Sequence, residues 1–315
     1  MAMIKLQPGF KDYIWGGSRL IDEYNKKYDG EVLAESWELS CNRDCPSSVS
    51  CGDEKGLTLE DYITKYGFIE TLGENCRRFE DFPILTKFID ARKALSIQVH
   101  PDEEYASRVE HQHGKTEMWY IVDAEPGASI YYGFEHEISR EEFMKRINDN
   151  TLPEVLHKEE VHRGDVFFIE AGTLHALGAG VLVAEIQQNS DVTYRIYDYG
   201  RIGRDGKPRE LHVEKALDVT RRIRSDAQKD YYPHIGSCDY FTVDHLILDG
   251  ARISEVHGNV NGDSFLHVLV TKGSGEIQNQ DTKMSFSSGD SIFFPAGSGD
   301  YTIHGTADIL LTYEV

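Results

Sequence analysis

Four side chains in this sequence could share one divalent metal. They are Gln98 and His100 in Ser96-Ile97-Gln98-Val99-His100-Pro101, Glu117 after Lys115-Thr116, and His175 in Gly172-Thr173-Leu174-His175. Gln98 and His100 are two apart, so on a strand both leave the same face. Glu117 opens the apolar run Met118-Trp119-Tyr120-Ile121-Val122, and His175 follows Val166-Phe167-Phe168-Ile169 and a turn. Two imidazoles, a carboxylate and an amide supply the N and O donors that zinc accepts, with room for water or a substrate oxygen. A lone strand histidine is more often a hydrogen-bonded core or surface residue, and the chain has 13 histidines. The pattern outweighs its members because Gln98 and His100 lie in an apolar stretch, where a buried polar group needs a partner. The spacing predicts a metal site inside a β-barrel.

Ser96 to Asp102, Lys115-Thr116-Glu117-Met118 and Gly172-Thr173-Leu174-His175-Ala176 resemble the signature segments of type I mannose-6-phosphate isomerase, a zinc-dependent family of the cupin superfamily. Tyr13-Ile14-Trp15-Gly16-Gly17, Glu35-Ser36-Trp37-Glu38 and Asn189 to Arg195 are similar to further family segments, in order along the chain. The length of 315 resembles the short bacterial branch, which lacks a large helical insertion. The resemblance implies one Zn2+ per chain, held by Gln98, His100, Glu117 and His175. It implies interconversion of mannose 6-phosphate and fructose 6-phosphate through an enediol. It also implies Trp15 as a substrate-binding residue, Lys115 as the pocket lysine and Arg195 as the active-site arginine.

Chemistry narrows those roles. An arginine is a poor base because its pKa stays above about 12, so Arg195 is expected to stabilise the enediolate or grip phosphate. Lys115 is expected to carry protons, since burial near a metal can lower a lysine pKa; a phosphate or carboxylate partner is its competing role. Some longer members have a histidine where Gly114 stands, so a mechanism using that histidine as base does not transfer. His111 and His113 are near but not at the matching position. Two histidines and a carboxylate also suit a non-haem iron oxygenase, and a non-catalytic sugar-phosphate-binding cupin is the other alternative. Gln98, the basic candidates and the isomerase-like segments argue for the isomerase.

The elements that must position these groups are mostly strands. Hydrophobic residues make up 40% and charged residues 28%, a globular composition with ample core. No apolar run approaches the roughly 18 residues of a membrane helix, and the start has no signal-peptide build, so a cytoplasmic location is the default. A net charge of −21 argues against nucleic acid and acidic membranes as partners. An enzyme that attracts a sugar phosphate then needs a local basic patch. Residues 195–224 hold nine Lys or Arg, among them Arg195, Arg204 and Arg209, against five acids including Asp205. A solvated helix face is the plainer reading of most of them. Five cysteines without a secretion signal suggest reduced thiols; Cys41, Cys45 and Cys51 have no nearby histidine and an irregular spacing for zinc. Monomer and homodimer both stay open.

Thr58 and Asp61 start a helix over about 58–71 with a break near Gly67, Ser139 starts another, and 210–224 reads as a third. Strands are expected at Ile84–Ile89, Ala94–His100, Met118–Val122, Val166–Ile169, Val181–Gln187 and Val192–Tyr197, and short strands fill the chain after Tyr240. Gly164–Thr173 lines up with Gly289–Ser298 at an offset of 125, and Met118–Val122 with Leu266–Val270 at an offset of 148. Phe265 then replaces Glu117 and Asp300 replaces His175. The expectation is a mainly β chain of two cupin-type jelly-roll barrels, with a few helices inserted in and after the first. Residues 1–230 would form the metal-binding catalytic unit and 231–315 a degenerate cupin without metal ligands.

Overall fold

The computed structural model describes residues 1–203, 206–225 and 231–315. Arg204, Asp205 and the expected boundary after residue 230 lie outside the described residues. The chain is mainly β, and its first unit sets two antiparallel sheets face to face. One runs in the order Val166–Ile169, Glu117–Ala124, Val181–Gln188, Ile84–Ala91, Glu35–Leu39, Gly9–Lys11. The other runs Tyr194–Tyr197, Ile97–Val99, His175–Leu177, Ser129–Phe134, Leu156–Glu160. Trp119, Ile121, Phe167 and Val183 of the first sheet meet Ile130, Tyr132 and Leu177 of the second in one core.

The six-stranded sheet is covered on its other face too. Phe88, Met118, Tyr120, Leu182 and Ile186 pack on Val243, Phe265, Leu269, Phe293 and Leu310 of the second unit. Each such large side chain contributes about 2 kcal/mol on burial, so the two units are firmly joined. Coverage on both faces explains why Ile84–Ala91 and Val181–Gln188 are buried throughout and show no regular alternation of apolar and polar residues.

The second unit is one large sheet built on Leu266–Asn279 and Gly299–Tyr313. A register shift between Val270 and Lys272 bends it, and Val268, Ile277, Phe286, Phe294 and Ile309 fill its inside. Both units are thus sandwiches of cupin type whose sheets do not close into full barrels. The start of the chain joins the second sheet: Ile4–Gln7 pairs with Ser291–Phe294, and Ser48–Val49 pairs with Ile4–Gln7.

The repeat is present with one correction. Phe167 and Ile169 face the first core as Ile292 and Phe294 face the second, in line with the offset of 125. In the ladders, Val166 pairs with Tyr120 and Ser291 with Leu269, so the offset of 148 falls one residue short. A slip of one moves a side chain to the opposite face. Leu266 is therefore the counterpart of Glu117, and Phe265 points into the interface between the units.

The helix over Leu59–Tyr66 is capped by Thr58, whose Oγ1 accepts from Asp61 N at 3.0 Å, and it breaks at Gly67. Arg140–Asn148 follows Ser139 as expected. The third helix is shorter than 210–224, covering only Val213–Val219. Its expected end is drawn off into tertiary pairing, with Arg221 N bonded to Gly172 O and the Arg222 and Ile223 carbonyls accepting from Ile138 and Phe134. A helix over Glu103–Glu110, capped by Asp102, was not anticipated, although Pro101-Asp102-Glu103-Glu104 is an ordinary start signal.

His267 supplies a pH prediction. It is fully buried, with Nε2 2.9 Å from Ser291 Oγ and Nδ1 without a partner among the described residues. Burial pushes its pKa down from 6.5 to about 3. The folded-state value is depressed, so only the unfolded chain takes the proton in this window. The stability His267 confers is whole above about pH 6.5 and is lost as pH falls toward 3. Removing the imidazole should remove that loss. Urea unfolding of wild type and His267→Leu should show the difference moving by about 2 kcal/mol in the variant's favour between about pH 7.5 and 5. A difference independent of pH would refute it.

Candidate metal centre and cleft

Strand pairing brings the four predicted donors together. His175 lies directly opposite Gln98 in the five-stranded sheet, and His100 follows at the end of the same strand. Glu117 enters from the facing sheet as its strand begins. His100, Glu117 and His175 are fully buried, and each offers one donor atom, all within 4.8 Å of one another. Glu117 Oε2 is 3.5 Å from His100 Nε2, and Oε1 is 3.4 Å from His175 Nε2. The Gln98 amide nitrogen is 3.5 Å from His175 Nε2. Which end of that amide faces the group is a choice of rotamer, and the oxygen suits a cation.

The backbone aims the imidazoles. His100 Nδ1 donates to the Val192 carbonyl at 2.9 Å and His175 Nδ1 to the Thr173 carbonyl at 2.8 Å. Each Nε2 therefore carries its lone pair toward Glu117. Burial holds both rings neutral: His100 lies well below 6.5, helped by Lys115 and His175, and His175 is pushed down to about 4. Burial and the nearby Glu185 carboxylate raise the pKa of Glu117. Its two oxygens are buried without a directional hydrogen bond. The Lys115 ammonium faces Oε2 at 2.8 Å and His100 Nε2 at 3.4 Å, so a cation already sits at the edge of the group. Two neutral Nε2 atoms and a buried carboxylate that faces both fit a divalent metal of the zinc type.

Beyond Lys115 runs a buried chain of alternating charge. Lys115 Nζ is 3.6 Å from Glu185, Glu185 is 3.2 Å from Lys87, and Lys87 is 3.8 Å from Glu35. Indole N–H groups complete it, Trp119 to Glu185 at 2.9 Å and Trp37 to Glu35 at 2.7 Å. Burial opposes charge on Lys87, yet Glu185 and Glu35 outweigh it and raise its pKa. Glu185 is also buried, and Lys115 and Lys87 outweigh that burial and lower its pKa. Sequence reading singled out neither Lys87 nor Glu185. Each interrupts an apolar strand, and they are direct cross-strand partners, which is the signal that was there to find.

An open cleft of about 310 Å³ leads to this group, and Trp15, Gln98, Lys115 and Arg195 all line it. His100, Glu117 and His175 do not line it; they lie behind Gln98 and Lys115. Arg195 is pinned by Nε to Ser96 Oγ at 3.2 Å and by Nη1 to the Glu210 carbonyl at 3.1 Å. Thr193 shares the cleft, but Tyr197 does not follow by simple alternation: a register shift after Arg195 turns it toward Ile196 and the core beneath. Arg209, bidentate to Asp198 at 2.7 and 2.6 Å, also reaches the cleft. Of the basic window, Lys215 and Arg221 instead pair with Glu110 and Glu170 at the surface. His113 pairs with Glu103 and Asp81. A side chain at Gly114 would collide with the Asp102–Glu103 backbone, so this chain has no room for a histidine there without backbone movement.

Comparison with known proteins gives a consistent set of matches. The family profile "Phosphomannose isomerase type I, catalytic domain" matches residues 3–129, and "Mannose-6-phosphate isomerase, cupin domain" matches residues 233–314. Mannose-6-phosphate isomerase ManA of Bacillus subtilis is 34% identical over 315 residues, covering 98% of this chain and 97% of that protein. The mannose-6-phosphate isomerase of Streptococcus mutans is 40% identical over 214 residues, 68% of this chain and 66% of its own. The crystal structure of the mannose 6-phosphate isomerase from Bacillus subtilis superposes with a TM-score of 0.90 at 34% identity, over 99% of both chains.

Proposed function

The chain belongs to the type I phosphomannose isomerase family, and we propose that it interconverts mannose 6-phosphate and fructose 6-phosphate with one zinc ion held by Gln98, His100, Glu117 and His175. It is an isomerase, and the chemistry is assigned to the unit formed by residues 1–230, with 231–315 as a companion cupin. The carrying observation is the buried His100–Glu117–His175 group, its carboxylate oxygens 3.5 and 3.4 Å from the two Nε2 atoms, behind a cleft lined by basic side chains. That cleft answers the problem posed by a chain of net charge −21, since it gives an anion a local field to enter.

The reaction moves one proton from C2 of the open-chain aldose to C1, while the O2 proton is lost and O1 gains one. When bound, the metal supplies Lewis-acid polarisation of a substrate oxygen. Lys115, held between Glu117 and Glu185, passes the proton between O2 and O1. Arg195 lies where negative charge develops on the enediolate, its planar fork held by Ser96 and Glu210. Arg209 at the same cleft attracts the phosphate, and Trp15 walls the sugar from water. Glu185 and Lys87 hold Lys115 in place from behind. Among the described residues no helix is long and apolar enough to cross a membrane, and we place the enzyme in the cytoplasm.

A coupled assay for fructose 6-phosphate tests the reading. Turnover of mannose 6-phosphate should cease on chelation and return with about one equivalent of Zn2+ per chain, most of the fold surviving throughout. Oxygen consumption without ketose product would favour an iron oxygenase. Tight sugar-phosphate binding without turnover would make the protein a binding module.

A further inference from the structure

Asp198 stands directly after the strand Tyr194–Tyr197 that carries Arg195, and its buried carboxylate lies between two guanidinium groups. Arg209 approaches through Nε to Oδ2 at 2.7 Å and through Nη2 to Oδ1 at 2.6 Å. Arg201 reaches the same carboxylate through Nε at 3.0 Å and through Nη2. The backbone builds this convergence. Tyr199 and Gly200 both take left-handed conformations, with φ of 57° and 65°, and turn the chain back so that Arg201 N donates to Asp198 O at 3.0 Å. Ile202 then pairs antiparallel with Pro208, which sets Arg201 and Arg209 side by side just outside that pairing. Like charges at facing positions repel, and the carboxylate between them offsets the repulsion.

Of these three side chains, Arg209 alone reaches the substrate's side. It lines the cleft, whereas neither Asp198 nor Arg201 does. With its Nε–Nη2 edge closed by Asp198, the guanidinium keeps its Nη1–Nη2 edge as a planar fork, a shape that binds two phosphate oxygens at once. Arg201 ties the arrangement to the rest of the site through Nη1, which donates to the Ala94 carbonyl at 2.5 Å. Ala94 lies just before Ser96, whose Oγ holds Arg195, on the segment leading to Gln98. The charges are close enough to act on one another. Burial and Arg209 lower the pKa of Arg195, Asp198 pushes it the other way, and Arg201 lowers it again.

We propose that Asp198 is a positioning residue: it presets the free edge of Arg209 for the phosphate of the substrate, and so sets the affinity for a 6-phosphorylated hexose without touching the reacting carbons. The inference rests on the isomerase reading and deepens it. A fork ordered before the substrate arrives avoids the entropy cost of ordering a long side chain on binding. Phosphate is held alike in the ground state and the transition state, so the effect belongs in KM.

The test measures kinetics with mannose 6-phosphate, competitive inhibition by inorganic phosphate and thermal unfolding of the zinc-loaded full chain. Asp198→Asn keeps the side chain's shape and removes its charge. It should raise KM and the inhibition constant of phosphate at least about tenfold, with kcat within about twofold of wild type. Arg209→Lys should do the same, and the double variant should be little worse than either single one, because both act through one fork. Arg201→Gln is the control for a role in folding alone. It disturbs the same turn but leaves Asp198 on Arg209, so KM should rise less than about threefold. Unchanged KM and phosphate inhibition in Asp198→Asn would overturn the proposal. So would equal KM effects of Asp198→Asn and Arg201→Gln, or effects of Asp198→Asn and Arg209→Lys that multiply. Should Asp198→Asn not fold, Asp198→Glu decides: its charge is displaced by one methylene, KM should rise about threefold or more with kcat held, and a wild-type KM would overturn the proposal. In all these cases wild-type turnover of mannose 6-phosphate leaves the isomerase reading standing; a wild type without that turnover would bring both down.

Discussion

His175→Ala should lose its metal and its turnover together, by about a thousandfold or more in rate. The imidazole is one of three strong donors, and its Nδ1 anchor on the Thr173 carbonyl fixes the direction of Nε2. No neighbouring histidine can swing in, because His100 is itself tied to Val192. The substitution leaves His100 and Glu117 with a void between the sheets, so circular dichroism should accompany the metal analysis. Asp300→Ala is the matched control. Its residue is exposed and bonds Asn259 in the second unit, so zinc content and isomerase rate should both hold. Equal behaviour of the two variants would mean that the units do not divide the work as described.

The second large effect is expected at Arg195. Arg195→Lys keeps a positive charge but loses the planar fork that Ser96 and the Glu210 carbonyl hold in position. Lysine reaches the cleft as a mobile point charge. If the guanidinium meets charge that forms only on the way to the enediolate, kcat falls by roughly a hundredfold with little change in KM. That is the result expected from its fixed geometry, since a fork held before substrate arrives needs no rearrangement during the reaction. A raised KM with intact kcat would reassign Arg195 to gripping phosphate, alongside Arg209. Wild-type values for both constants would remove it from the site.

The buried group of His100, Glu117 and His175 was legible because its geometry is short-range. Two residues on one strand share a face whatever the rest of the chain does, so Gln98 and His100 announced themselves. Strand pairing then had only to bring Glu117 and His175 across, and the turn before each made that plausible. Lys87 and Glu185 were hidden by the same physics that makes them important. Their strands are buried on both faces, so no alternation marks which side a charge occupies, and only the pairing reveals that the two charges face each other. The repeat failed by a single residue for a related reason. Phe265 and Leu266 are both apolar and both buried, and composition cannot say which faces the interior. The helix over 210–224 was overread because its second half has helix-compatible residues whose backbone groups are claimed by distant partners, which local spacing does not encode.

We propose one metal, held between the two sheets of the first unit. Crystals of the active, zinc-loaded protein measured on both sides of the zinc absorption edge test it most directly. The predicted result is one anomalous peak per chain, about 2.0–2.2 Å from His100 Nε2, His175 Nε2, a Glu117 oxygen and the Gln98 amide oxygen. A peak ligated by other residues, a second peak in the unit after residue 231, or no peak in fully active protein would contradict it.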